Sequence, residues 1–258
     1  MRVTCVGSAD AFNGAGRGHT CWLLEDDRGR AMVDFGATAL AGLRRLGRDP
    51  AQELDAIHFT HLHGDHIGGW PFLLIDAQHR ARRTRPLLVS GPPGTRDRLQ
   101  ALWAACYADT AARPLGFAVE HRELSPGDAA LLAGREVRAF RAQHMRPPHL
   151  ALSLRIGAVA FTGDTGAHAG LAAVAQGAAL LCAECTELEP GQPGAAPAER
   201  RHLSWAELKV LLPAWRVRRV LLAHLSSGVR AAAGAIEREA AALGLDLQVC
   251  DDGTAVDV

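Results

Sequence analysis

Residues 60–69 read "THLHGDHIGG", from Thr60 to Gly69. His61, His63, Asp65 and His66 fall within six positions, directly after the apolar run "DAIHF" (55–59). Neutral imidazoles suit zinc, iron or manganese. In an extended segment, residues two apart point the same way, so His61 and His63 can grip one ion. Asp65 and His66 follow the flexible Gly64, point elsewhere and can serve a second ion. Two neighbouring cations repel each other, so such a pair needs a shared anionic ligand.

The rest of the chain offers one. Five apolar runs stop at a histidine or an acid: "AIHFTHLHGDH" (56–66), "RAFRAQH" (138–144), "VAFTGDT" (159–165), "LLCAE" (180–184) and "VLLAH" (220–224). Strands that release polar residues at their ends describe an active-site rim on a sheet edge. Asp164 is the candidate shared anion, and His144 and His224 are the candidate completing ligands.

The remaining sequence fits an α/β chain in which short strands alternate with helices. Helical spacing is expected over residues 37–47, 93–106, 204–215 and 231–244. A helix is also expected to begin at "GGWPFLLIDAQHRAR" (68–82). "LDLQVCDDGTAVDV" (245–258) reads as a closing hairpin with a D-G turn. The 258 residues suit one α/β domain, 48% of them are hydrophobic, and Lys+Arg and Asp+Glu balance at 28 each. No global charge draws the chain to a polyanion or to an anionic membrane. No apolar window approaches the ~18 residues of a membrane span. The start, "MRVTCVGSADAF", lacks a signal-peptide apolar region. A soluble cytoplasmic protein is expected. Cys182 and Cys185 form a C-x-x-C without the second pair of a zinc ribbon, and read as small residues flanking a buried strand end.

"THLHGDHIGG" resembles the signature of the metallo-β-lactamase superfamily. "GSADAF" (7–12), "DFG" (34–36), His144, "TGDT" (162–165) and "LLAHLS" (221–226) follow in that family's order across essentially the whole chain. The resemblance implies an αββα sandwich: two mixed β-sheets flanked by helices, formed by residues 1–258 as a single domain. It implies two divalent metal ions, zinc first, with manganese and iron also found in the fold. His61, His63 and His144 would bind one ion, Asp65, His66 and His224 the other, and Asp164 would bridge. His149 is the rival of His144, which sits better at a strand end.

Two metals about 3.5–4 Å apart can clamp an in-line displacement at phosphorus, and the same pair can hydrolyse carbonyl compounds. "SGPPGT" (90–95) and the "GDT" around Asp164 resemble ribonuclease Z-like phosphodiesterases. By that resemblance Glu184 orients His202, His202 protonates the leaving oxygen, and Asp65 takes a proton from the attacking water. Ala183 departs from the pattern, in which a histidine often precedes the glutamate. Ribonuclease Z proper carries a long tRNA-gripping arm after the third metal histidine. Only residues 145–163 separate His144 from Asp164 here, which leaves no room for it. The expectation is therefore a phosphodiesterase on a small or cyclic phosphodiester, with no long RNA and no membrane as partner. The chain also resembles ribosyl cyclic-phosphate phosphodiesterases, without their N-terminal cysteine cluster. A carbonyl hydrolase (lactonase, thioesterase or β-lactamase-like) is the competing reading. Rim loops 14–19, 70–85 and 189–200 should set substrate choice, and Arg146 is a candidate substrate contact. Arg-rich residues 79–85 read as a solvated helix end. "WPFLLI" (70–75) reads either as core or as the face of a homodimer, dimers being common in the resembling family.

Overall fold

The computed structural model describes residues 1–191 and 199–258. Among them are fourteen strands: β1 (Arg2–Gly7), β2 (Cys21–Asp26), β3 (Gly29–Val33), β4 (Leu54–His58), β5 (Leu87–Gly91), β6 (Val119–Glu123), β7 (Ala129–Leu132), β8 (Arg135–Ala142), β9 (Ala151–Ile156), β10 (Val159–Phe161), β11 (Leu180–Glu184), β12 (Val220–Ala223), β13 (Leu247–Val249) and β14 (Ala255–Asp257). They form two seven-stranded sheets, in the orders β14-β1-β2-β3-β4-β5-β6 and β13-β12-β11-β10-β9-β8-β7. Both sheets are mixed. β3 to β6 run parallel in the first and β10 to β13 in the second, with antiparallel pairs elsewhere.

Three apolar layers hold the sandwich. Phe35, Leu43, Ile57, Trp70 and Trp103 pack helices on the outer face of the first sheet. Leu181, Trp205, Leu212 and Ile236 do the same on the second. Val3, Trp22, Leu154, Phe161 and Leu221 fill the space between the sheets. The strand patterns follow from these layers. β11 and β12 are buried at every position and read as continuous apolar runs, as sheet covered on both faces requires. β8 alternates buried and exposed residues because one face meets solvent. Helix Trp205–Trp215 starts at Ser204, whose side chain accepts from the Glu207 N–H while Glu207 accepts from the Ser204 N–H. That cap fixes where the chain turns just after His202.

Several expectations need correction. β13 and β14 do not pair as a closing hairpin. β13 joins β12 in one sheet and β14 joins β1 in the other, so the D-G turn hands the chain across the sandwich. β6, polar at most positions, carries no strand signal in the sequence and is held by its pairing with β5. "WPFLLI" is core: Trp70, Pro71, Leu73 and Leu74 are buried and Phe72 is exposed. Residues 79–85 are not simply a solvated end. Arg80 pairs with Asp76 and Asp49, while buried Arg83 donates to the carbonyls of Ala51, Leu54, Arg85 and Pro86. Cys182 and Cys185 are buried free thiols, as read from the sequence. Between His144 and Asp164 the chain forms β9 and β10 and no inserted arm. No helix among the described residues is long and apolar enough to cross a membrane.

One ion pair ties the two sheets. Arg135 of β8 is 2% exposed and donates to Asp26 at the end of β2 and to the carbonyl of Gly29 at the start of β3. Removing one partner of a buried pair leaves the other charge uncompensated, at a cost of about 3–5 kcal/mol. Asp26→Ala should lose that much stability in a urea titration. The double variant Asp26→Ala/Arg135→Met should recover part of it, because no buried charge remains.

Candidate metal centre

The signature loop is shaped by close backbone packing. β4 ends at His58, the chain bends at Thr60, and His63 is extended, with φ and ψ of −74° and 156°. Gly64–Ile67 then forms one helical turn rather than further extended loop. The turn docks on the "DFG" segment: Phe35 N–H donates to the His66 carbonyl and Gly69 N–H to the Phe35 carbonyl. A Cβ on Gly36 would strike the Asp65 carbonyl, and one on Gly69 would strike the Gly36 carbonyl. Glycine is therefore required at both positions.

The other strand ends arrive at the same rim. His144 lies two residues past β8, Asp164 three past β10, Glu184 ends β11 and His224 follows β12. These strands point the same way, so their carboxyl ends share an edge, where open α/β sheets place their ligands. The donor atoms of His61, His63 and His144 fall within 4.8 Å of one another, as do those of Asp65, His66, Asp164 and His224. His149 is exposed and stands outside both groups.

The inner nitrogens converge on one oxygen. Asp164 Oδ2 lies 3.1 Å from His224 Nε2, 3.4 Å from His66 Nε2 and 3.8 Å from both His61 Nε2 and His144 Nε2. Asp65 Oδ2 is 3.3 Å from His66 Nε2 and 3.5 Å from His224 Nε2. Nδ1 of His63 faces Nε2 of His61 at 3.1 Å and of His144 at 3.0 Å.

The outer nitrogens decide what these contacts are. His66 Nδ1 is 2.8 Å from Asp34 Oδ2, and His144 Nδ1 is 3.0 Å from the Arg201 carbonyl; both must donate. Thr60 gives its hydroxyl proton to Asp34, so it accepts from His61 Nδ1. Thr186 gives its proton to Glu184 and accepts from His224 Nδ1. In the neutral rings the protons thus sit outside. The four Nε2 lone pairs face inward, toward a carboxylate. Lone pairs facing a carboxylate repel unless a cation lies between them. Nε2 of His66 and His224 are accordingly buried without a hydrogen-bond partner. Ligands about 2.0–2.2 Å from one tetrahedral ion stand about 3.3–3.6 Å apart, close to the spacings found. The residues fit divalent metal.

The electrostatics divide the four rings. Burial and the neighbouring His66 push the His61 imidazole well below its ordinary pKa, which keeps it neutral. Without a cation the carboxylates instead hold protons on the facing rings: burial opposes it, yet Asp164 pushes His66 well above its ordinary pKa and raises His224, and these rings hold the Asp65 and Asp164 carboxyls well below the usual range. His224 has φ 55°, a left-handed conformation unusual for a non-glycine residue. Its N–H donates to Thr20 Oγ1 at 2.8 Å, which holds it there.

Glu184 and His202 stand beside the cluster. Glu184 is buried and accepts from the Thr165 N–H, Thr186 Oγ1 and His202 Nδ1, the last at 3.1 Å. Burial lowers the His202 pKa, but the Glu184 carboxylate overrides it and pushes it up to about 9. The ring lies 4.9 Å from His144 and stacks on His224 at 5.3 Å. With Nδ1 held, Nε2 is the free end of the ring.

A family model described as anti-Pycsar protein Apyc1 matches residues 1–242. The chain belongs to the Apyc1 family. This Apyc1-family chain is 26% identical to a ribonuclease Z of Halorubrum lacusprofundi, over all of the chain and 97% of that protein. It superposes on the metallo-β-lactamase fold protein YhfI from Bacillus subtilis with a TM-score of 0.77 at 20% identity, covering 99% of the chain and 98% of YhfI. A diphosphatase from the PhnP family gives 0.77 at 14% identity, covering 100% and 97%. The Apyc1-family chain is thus a ribonuclease Z-like hydrolase of the metallo-β-lactamase superfamily, with its divalent-metal site at the sandwich rim.

Sequence reasoning did not find the residues behind the ligands. "DFG" signals a turn, not that Asp34 holds both His66 and Thr60. Thr186 carries no signal at all. Outer partners of this kind change metal affinity about 10–100-fold when removed. Asp34→Ala should weaken metal binding by that factor in a chelator competition, with far-UV circular dichroism unchanged.

Proposed function

We propose that this metal-dependent phosphodiesterase acts on a small or cyclic phosphodiester through two divalent ions, zinc first among the candidates. His61, His63 and His144 would hold one ion, Asp65, His66 and His224 the other, and the Asp164 carboxylate both. When bound, the metals make a water nucleophilic at neutral pH and neutralise charge on the phosphoryl oxygens. The chain's own groups move the protons. Asp65 accepts one from the attacking water. His202, protonated at neutral pH by its pairing with Glu184, delivers one from Nε2 to the departing alcohol.

The Glu184–His202 pair set against the cluster carries this reading. Expulsion of an alkoxide from phosphorus needs a proton donor on the leaving-group side, and a histidine oriented through Nδ1 supplies it. The carbonyl-hydrolase alternative leaves that pair without a task. The short β9–β10 connection supports a small substrate, since nothing there reaches for a long RNA. The charge balance supports a partner other than a polyanion. A homodimer would need a surface other than the buried run 70–75.

Hydrolysis of bis-p-nitrophenyl phosphate, compared with a p-nitrophenyl ester and a lactone, tests the reading. Metal content should be measured on the same samples. The diester should be turned over, and His202→Ala should lower kcat about 10²–10⁴-fold with metal retained. Activity confined to the ester or lactone, and indifferent to His202, would establish the carbonyl hydrolase instead.

A further inference from the structure

His19 stands at the end of the rim loop 14–19, and its backbone is pinned on three sides. Its N–H donates to Thr38 Oγ1 at 2.7 Å, it bridges to Ala9, and a Cβ on Gly7 would strike its carbonyl. The side chain is thereby held against the signature loop. A Cβ on Gly36 would strike the Asp65 carbonyl and come within 2.8 Å of His19 Cβ, so Asp65 and His19 close on the same glycine. Asp65, His66 and His224, the ligands proposed for the second ion, are the ionisable groups that act on the His19 ring. That ring is half-buried, and its Nδ1 is buried without a hydrogen-bond partner.

A buried nitrogen left unpaired costs free energy, so each one calls for a partner. His58, His121 and His168 also carry such a nitrogen, but no metal ligand is among the charges that act on their rings. Beside the centre, the condition is shared by His66 and His224, whose Nε2 atoms face the metal site, and by His19. A carbonyl satisfies an imidazole nitrogen only when that nitrogen carries the proton. Water both donates and accepts, and satisfies Nδ1 in either tautomer.

We infer that His19 is a further catalytic residue, whose Nδ1 holds the attacking water on the Asp65 side of the centre. This rests on the two-ion phosphodiesterase reading above. Asp65 and His19 grip the water from two directions: the carboxylate takes its proton, and the imidazole fixes its orientation for in-line attack. The proton count is unchanged. The water oxygen bonds to phosphorus, its proton passes to Asp65, and His202 protonates the oxygen that leaves.

The test uses the zinc-loaded protein. In its crystal structure without substrate, an ordered water should lie about 2.7–3.2 Å from His19 Nδ1. His19→Ala should lose that water and keep its zinc. In turnover of bis-p-nitrophenyl phosphate, His19→Ala and His19→Leu should lower kcat about tenfold with KM changed less than about twofold, the pattern of an interaction made in the transition state. His19→Asn, whose amide can stand where Nδ1 stands, should recover most of kcat; His19→Gln, whose amide reaches past that point, should not. A wild-type crystal with no water at Nδ1 would overturn the assignment, as would kcat retained in His19→Leu. A rise in KM with kcat kept would make His19 a contact of the substrate rather than of the water, and loss of zinc in His19→Ala would make it a support of the metal; either overturns it. Failure of the underlying reading is separate: the wild type would then bind fewer than two zinc ions or leave the diester intact, and the crystal alone would decide whether Nδ1 holds a water.

Discussion

Asp164 Oδ2 is the point on which the molecule is organised. Four imidazole nitrogens aim at this one buried oxygen, from 3.1 to 3.8 Å, and each outer nitrogen is tied elsewhere. Neutral imidazoles tautomerised in this way offer lone pairs to an anion, so the convergence calls for positive charge: a divalent cation, or protons on His66 and His224, whose pKa values the Asp164 carboxylate raises against burial. It persists because rigid elements impose it. β10, β11 and β12 are buried throughout and run parallel, and the first sheet delivers the signature loop from across the sandwich. The apolar layer between the sheets sets their spacing, and that spacing brings ligands from both sheets within reach of one another.

The same geometry separates two chemical tasks. Histidines from the first sheet and from the second close around the Asp164 carboxylate. Glu184 and His202 stand one step away, where the Glu184 carboxylate, against the effect of burial, pushes the His202 pKa up. Thr186 connects the two parts: its hydroxyl donates to Glu184 and accepts from His224. A change at the His224 side therefore reaches the Glu184–His202 pair through a single hydroxyl. That coupling gives a physical reason for the Thr186 position, which has no role in packing the core.

How much of this was legible in the sequence depends on whether a residue's chemistry is rare or ordinary. The histidines and aspartates of the centre were legible, because imidazole clusters at strand ends have few other uses. Their order along the chain carried the fold class with them. The outer partners were not, because an aspartate in a turn or a threonine after a strand has many ordinary explanations; only the hydrogen bonds of Asp34 and Thr186 reveal what they hold. The D-G turn at residues 252–253 was read as local, whereas the parallel pairing of β13 with β12 sends β14 to the opposite sheet. Arg83 was read as solvated, yet its guanidinium satisfies four carbonyls in a buried turn. Of the rim loop at 189–200, residues 192–198 lie outside the described residues.

The most direct test of the account is the metal stoichiometry of the purified protein and of Asp164→Ala, by elemental analysis against protein concentration. The account predicts two equivalents per chain in the wild type. In the variant it predicts one or none, because a single carboxylate compensates both cations. Two equivalents retained without Asp164, or no metal in a folded wild-type protein supplied with zinc, would contradict it.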